Sequence, residues 1–200
     1  MSRTRSSQSL PVQPMSHDLI PDQFPVLRRT DLTLRQLEEA DLPAWFARLT
    51  DPEAATMAGD PIAESLEFVL EAMDYHARAF RQKEGVRWSI VPAKLGSVGT
   101  IGFDSFCVDS GLSAEIGGAI SRAHWNRGFI TAAAKLVVKF AFETLRLDYI
   151  QADVLATNSA SIRSLEKLGF QRQRVIENYR TIEDRVCDGF AYRLEARGGG

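Results

Sequence analysis

The sequence predicts one domain of the α/β (α+β) class, and three observations carry that prediction. Two stretches repeat apolar residues at helical spacing: Leu42, Trp45, Phe46 and Leu49, then Leu66, Val69, Leu70, Met73, Ala77 and Phe80. From Val86 to Ile120 the period changes to two, with short turns between the runs, as antiparallel strands require. From Ala114 to Leu155 the chain reads strand, loop, long apolar helix, strand, the pattern of a right-handed crossover between parallel neighbours.

Residues 1–25 are rich in Ser, Gln and Pro, with Pro11, Pro14, Pro21 and Pro25 interrupting any helix or strand. A disordered extension is expected over 1–25, a domain over 26–196 and a flexible tail over 197–200. The first strand is expected in Leu32–Leu37. Asp41 then caps a helix with Pro43 in its first turn. Turn residues Asp51-Pro52 and Gly59-Asp60-Pro61 lead to a second helix, capped by Ser65 and stopped by Gly85, whose apolar stripe is expected to be core.

The strand run begins with Val86, Trp88 and Ile90. A turn at Pro92–Gly96 leads to Val98–Phe106, and a second near Asp109-Ser110-Gly111 leads to Ala114–Ile120. On that last strand Ile116, Gly118 and Ile120 share one face, and Glu115, Gly117 and Ala119 the other. The central helix, about Ile130–Leu145, is apolar over a wide arc and so is expected to pack on the sheet. Tyr149–Leu155 is the next strand. A helix opens at Asn158-Ser159-Ala160-Ser161 and stops at Gly169, and strands at Val175-Ile176 and Val186–Leu194 finish the fold.

Lys and Arg total 24 against 26 Asp and Glu, a net charge of -2, so no global basic field points to nucleic acid or an anionic membrane. Two cysteines, Cys107 and Cys187, lack metal or redox spacing, and reduced thiols in an intracellular protein are expected. There is neither an apolar run of signal-peptide length nor one long enough for a membrane span, so a cytoplasmic location is expected. The three histidines have no ligand spacing, and no metal site is expected. Walker and G-x-G-x-x-G loops are absent, which argues against a generic nucleotide-binding domain.

The local signal is the stretch HWNRGFITAAAK, where a polar loop with one glycine runs into the central helix. The first N–H groups of a helix lack partners and sit at the positive end of its dipole, so this start is suited to phosphate. Together with EIGGAI before it, NSASIRSLEKLGF after it, and Asp188, Tyr192 and Leu194 near the end, it resembles the GNAT N-acetyltransferases, especially the RimJ/RimL-like branch. The resemblance covers about Leu27 to Glu195. It implies a mixed sheet splayed between its fourth and fifth strands, Ala114–Ile120 and Tyr149–Leu155, with helices on both faces and acetyl-CoA in the split.

By the same resemblance, the pantetheine arm would bond the strand at Ile116, Gly118 and Ile120, and the diphosphate would rest on Trp125, Asn126, Arg127, Gly128, Phe129, Ile130 and Thr131. The implied reaction is direct attack of a primary amine, from a protein N-terminus or a small molecule, on the thioester. Glu115 is the candidate base if no bulge reverses its facing. Ser161 is the candidate proton donor to the thiolate, and Asn158 a ligand of the pantetheine. Asn158 and Ser161 are equally suited to capping a helix. The chain departs from the family at Ile130, Ala132 and Leu165, which motivates the alternative of a non-catalytic acyl-CoA-binding module. Neither the acceptor nor the choice between monomer and homodimer is written in the sequence.

Overall fold

The computed structural model describes residues 19–108, 110–182 and 185–196. Its strands are β1 (Leu27–Arg29), β2 (Leu32–Gln36), β3 (Val86–Pro92), β4 (Gly99–Cys107), β5 (Ser113–Ile120), β6 (Tyr149–Leu155), β7 (Gln171–Ile182) and β8 (Arg185–Glu195). They form one sheet in the order β1-β2-β3-β4-β5-β6-β8-β7. Strands β5 and β6 run parallel, joined through helix α4 (Phe129–Glu143), and the other neighbouring pairs are antiparallel. This is the mixed sheet expected from the sequence.

Cross-strand register explains which face is core. Leu34, Ile90, Gly99 and Ile120 form one row, and Trp88, Ile101 and Gly118 another. Helix α4 covers that face, and its Phe140 meets Trp88 nearly edge-on with ring centroids 5.6 Å apart. Helix α5 (Ser159–Lys167) adds Ile162 and Leu165 to the same core. Helices α1 (Leu42–Leu49) and α3 (Leu66–Arg81) enclose a smaller core of Leu42, Trp45, Leu49, Ala63 and Val69. On this opposite face His76 of α3 lies beside Arg87 of β3.

Several expectations need correction. The expected first strand is the second arm of a β1–β2 hairpin, so the strands counted as fourth and fifth are β5 and β6. An additional helix, α2 (Pro52–Ala58), stands where turns were expected: Asp51 accepts from the N–H groups of Glu53 and Ala54, and Pro52 fits the first turn. Asp41 does not cap α1 with its side chain. It is buried and accepts from Arg35 at 2.7 and 2.9 Å and from the Glu38 N–H at 3.1 Å.

Helix α3 ends at Arg81, short of Gly85, and Leu66 and Leu70 of its stripe are 44% and 37% exposed, because the small second core takes Val69, Ala72 and Met73 and leaves them outside. Strand β7 is twelve residues long, far beyond Val175-Ile176. Register shifts between Arg172 and Arg174 and between Ile176 and Arg180 break the alternation that would have revealed it.

The extension expected over 1–25 also changes. Ile20 is only 2% exposed, Phe24 packs on Phe80 and Trp88, and the Trp88 indole N–H donates to the Pro25 carbonyl at 2.7 Å. Proline prevents regular structure there without preventing packing. Residues 1–18, Asp109, Glu183 and the expected tail over 197–200 lie outside the described residues.

Candidate active site

Strands β5 and β6 pair only at Ser113↔Tyr149, Ala114↔Ile150 and Glu115↔Gln151. Beyond that row β5 stays bonded to β4 as far as Ile120, and β6 to β8 as far as Leu155. The two strands therefore part, and their facing backbone edges are left to a partner other than a strand. Because they are parallel, both carboxyl ends lie at the open end of the split, where the chain turns into α4 and α5.

Gly128 is the N-cap of α4, with φ 77° and no side-chain cap. A Cβ placed on it would meet nothing within 4 Å. Its need for glycine is thus conformational, and the space beside it is available to a ligand. The first amide in the helical ladder is that of Ala132, which donates to the Gly128 carbonyl at 3.0 Å. The N–H groups of Phe129, Ile130 and Thr131 precede it and lack intrahelical acceptors. The cradle therefore fits an anionic group.

The side chains around this cradle hold it in place. Trp125 donates its indole N–H to the Ile120 carbonyl at 2.7 Å, fixing the loop to the end of β5. Asn126 adopts the left-handed region with φ 59°. Phe129 and Ile130 pack against the main core, so the branched Ile130 turns inward instead of crowding the cradle. Arg127 is exposed, hydrogen-bonded to His124 Nδ1 at 3.1 Å and stacked over Phe129 at 5.0 Å from the ring centroid.

Across the open end, Asn158 is the N-cap of α5: its Oδ1 accepts from the Ser161 N–H at 3.0 Å, and its Nδ2 donates to the Met57 carbonyl at 2.9 Å. Both ends of its amide are engaged within the protein. Ser161 is half-buried in the first turn of α5. Asn158→Ala is expected to cost roughly 1–2 kcal/mol, since it removes both a cap and the tie to Met57. Urea unfolding measures that loss.

Helix α2 is tied at two further points. Arg122 pairs with Asp51 at 2.7 Å and with Glu53 at 3.1 Å, and Arg180 of β7 donates to the Gly59 carbonyl. The helix thus spans from the α4 loop to the α5 start on the face opposite α4.

Glu115 lies on that opposite face. A bulge interrupts β4 between Phe103 and Ser105, directly beside Glu115, without reversing its facing. A Cβ on Gly117 would stand 2.9 Å from Asp104 Oδ2, which places the ion-paired Asp104 and Arg87 on the face shared by Gly117 and Glu115. Arg87 also donates to the Gly117 carbonyl at 2.9 Å. Glu115 reaches the surface, yet loss of surrounding water pushes its carboxyl pKa up, with Asp153 and Asp104 adding repulsion against an opposing pull from Arg180. Burial likewise raises Asp153, opposed by Arg174 and Arg180.

Next to Glu115 a cleft of about 240 Å³ has a lining that includes Gln151, Asp153, Gln173, Arg174, Ala191 and Arg193. These residues were not singled out in the sequence. The outward parity of Gln151 and Asp153 on Tyr149–Leu155 was a usable signal for two of them. His76, also beneath this face, is pushed down to about 4 by burial and then by Arg87, so it is a neutral and weak base at neutral pH. Among the described residues there is no cluster of three or more His, Cys, Asp or Glu side chains arranged to hold a metal, and no helix is long and apolar enough to cross a membrane.

The family model of the acetyltransferase (GNAT) domain matches residues 31–171. The uncharacterized N-acetyltransferase YoaA of Bacillus subtilis (strain 168) is 35% identical over 157 residues, covering 78% of this chain and 88% of that protein. Mycobacterium smegmatis RimJ in complex with CoA-disulfide has a TM-score of 0.76 at 19% identity, covering 88% of this chain and 90% of that one. Spermidine N-acetyltransferase from Vibrio cholerae in complex with CoA and spermine has a TM-score of 0.73 at 20% identity, covering 84% and 96%. At these identities the two structures speak for the fold alone. The departures at Ile130, Ala132 and Leu165 thus occur within an enzyme family, and they do not mark a non-catalytic module. With the family match across most of the chain and the splayed sheet that the fold displays, the chain belongs to the GNAT family and is an acetyltransferase.

Proposed function

We propose that this acetyltransferase takes its acetyl group from acetyl-CoA and transfers it to a primary amine by direct attack in a ternary complex, as in the RimJ/RimL-like branch. The observation that carries the proposal is the parting of β5 from β6 after Glu115↔Gln151, with the uncapped start of α4 at the open end. Backbone of Ile116, Gly118 and Ile120 offers bonds to the pantetheine arm. The amides from Trp125 to Thr131 receive the diphosphate, with Arg127 adding positive charge. Asn158, already committed as a cap, supports the cofactor by fixing the first turn of α5.

Acetyl-CoA supplies a thioester carbonyl open to attack. Glu115 accepts a proton from the incoming ammonium group, directly or through a water, and leaves the amine neutral. A new N–C bond forms as the C–S bond breaks; Ser161 protonates the departing thiolate and regains a proton from the nitrogen, which sheds one to become a neutral amide. An α-amino group, with a pKa of about 7.7–8.0, needs less help from Glu115 than a lysine at about 10.4. That difference favours a protein N-terminus or a small α-amine as acceptor.

Thiol release from acetyl-CoA, followed across a panel of peptides and small amines, tests the reading. Stoichiometric N-acetylated product is expected, and tight CoA binding without thiol release from any amine would overturn it. Ser161→Ala is expected to lower kcat by roughly tenfold or more while leaving CoA affinity nearly unchanged, because proton donation acts in the transition state. An unaltered kcat removes Ser161 from the mechanism.

A further inference from the structure

The cleft beside Glu115 has an electrical polarity set by strand register. Asp153 of β6, Ala191 of β8 and Arg174 of β7 form one cross-strand row, and Glu115, Gln151 and Arg193 form the next. Partners in a row share a face. At about 4.8 Å per strand, the backbones of Asp153 and Arg174 stand roughly 10 Å apart. Only the methyl group of Ala191 lies between them, and it forms the floor of the cleft.

Two neighbouring guanidinium groups already have carboxylate partners: Arg193 stacks over Tyr149 at 3.5 Å and pairs with Glu195 at 2.7 Å, and Arg87 pairs with Asp104. Arg180 is anchored on the Gly59 carbonyl, and its charge acts on Glu115 and Asp153 from there. Among the described residues, neither Asp153 nor Arg174 closes an ion pair. One wall therefore carries two carboxylates, Glu115 and Asp153, and the opposite wall carries a guanidinium. The cleft of about 240 Å³ that these walls line has room for a small acceptor.

We infer that the acceptor is an amino-carboxylate, a free amino acid or short peptide, whose amine lies at Glu115 and Asp153 and whose carboxylate pairs with Arg174 across Ala191. This inference rests on the acetyl-transfer reading given above. A polyamine would bring a second cation against Arg174, whereas a carboxylate completes the pair and makes a charge-assisted bidentate bond. The raised pKa of Asp153, where burial outweighs the pull of Arg174 and Arg180, fits a carboxylate without an ion-pair partner until the amine arrives.

The test compares L-amino acids and dipeptides with their C-terminal amides, with the corresponding amines lacking the carboxyl group, and with spermidine. Thiol release is followed in the wild type, Arg174→Gln and Ala191→Leu. The carboxylate-bearing members are expected to have kcat/KM at least roughly tenfold above their amides, the scale of one charged hydrogen bond. Arg174→Gln should remove that advantage through KM, and Ala191→Leu should block these acceptors while calorimetric CoA affinity stays unchanged. Equal turnover of acids and amides, or a preference for spermidine, overturns the inference and leaves acetyl transfer standing. Absence of turnover with every amine overturns acetyl transfer and the inference together.

Discussion

Gly128→Glu is expected to leave CoA affinity at least about a hundredfold below wild type by calorimetry, which corresponds to roughly 2.8 kcal/mol. The left-handed backbone at φ 77° accounts for about 1–2 kcal/mol of strain with any side chain, and this acts on folding. The larger effect falls on the ligand. The space beside Gly128 is clear of protein atoms to 4 Å, so a glutamate there occupies the place meant for the anion and sets a like charge against it. Gly128→Ala separates the two contributions: it carries the same backbone strain, lowers Tm and keeps most of the affinity. Wild-type CoA affinity in the glutamate variant would show that this loop is not the phosphate site.

Glu115→Gln is expected to lower kcat/KM by about 10²–10⁴-fold, the usual contribution of a positioned base. The pH dependence gives an independent readout. The Glu115 pKa lies above the ordinary glutamate value of 4.5, first through desolvation and then through Asp153 and Asp104. Wild-type activity should fall as the pH drops through that raised pKa, and the variant should lack this acidic limb.

Stability changes in the opposite sense. Between 4.5 and the raised folded value the native state binds more protons than the unfolded state, so the Glu115 contribution to stability declines as pH rises through that window. Above it the carboxylate is a net cost to folding. The glutamine variant should therefore match or exceed the wild-type Tm at pH 7, and a lower Tm there would mean that Glu115 holds the fold instead of serving the reaction.

Legibility in the sequence followed the strength of each local signal. Alternation at Val86, Trp88 and Ile90 and the broad stripe of α4 were decided by burial on one face, and burial leaves a periodic trace. Helix α2 was hidden because Asp51-Pro52 and Gly59 serve equally as turn residues and as the two ends of a short helix. Strand β7 was hidden because its two register shifts erase the period. Ile20 was hidden because a packed segment without regular hydrogen bonds leaves no period at all.

The candidate site divided along the same line. Gly128 and the helix start could be read locally, since one turn of backbone makes the cradle. The cleft could not, because Asp153, Ala191 and Arg174 come from three strands and meet only through register. Glu115 lay between these cases: its facing was legible, but the neighbours that raise its pKa were not.

The ties on α2 link the two substrates of the proposed reaction. The helix is fastened by Arg122, just before the cradle, by Asn158, at the start of α5, and by Arg180, whose charge acts on Glu115. In the proposed reaction one seven-residue helix is anchored on both the cofactor side and the acceptor side. The donor half and the acceptor half of the proposed site thus share one support.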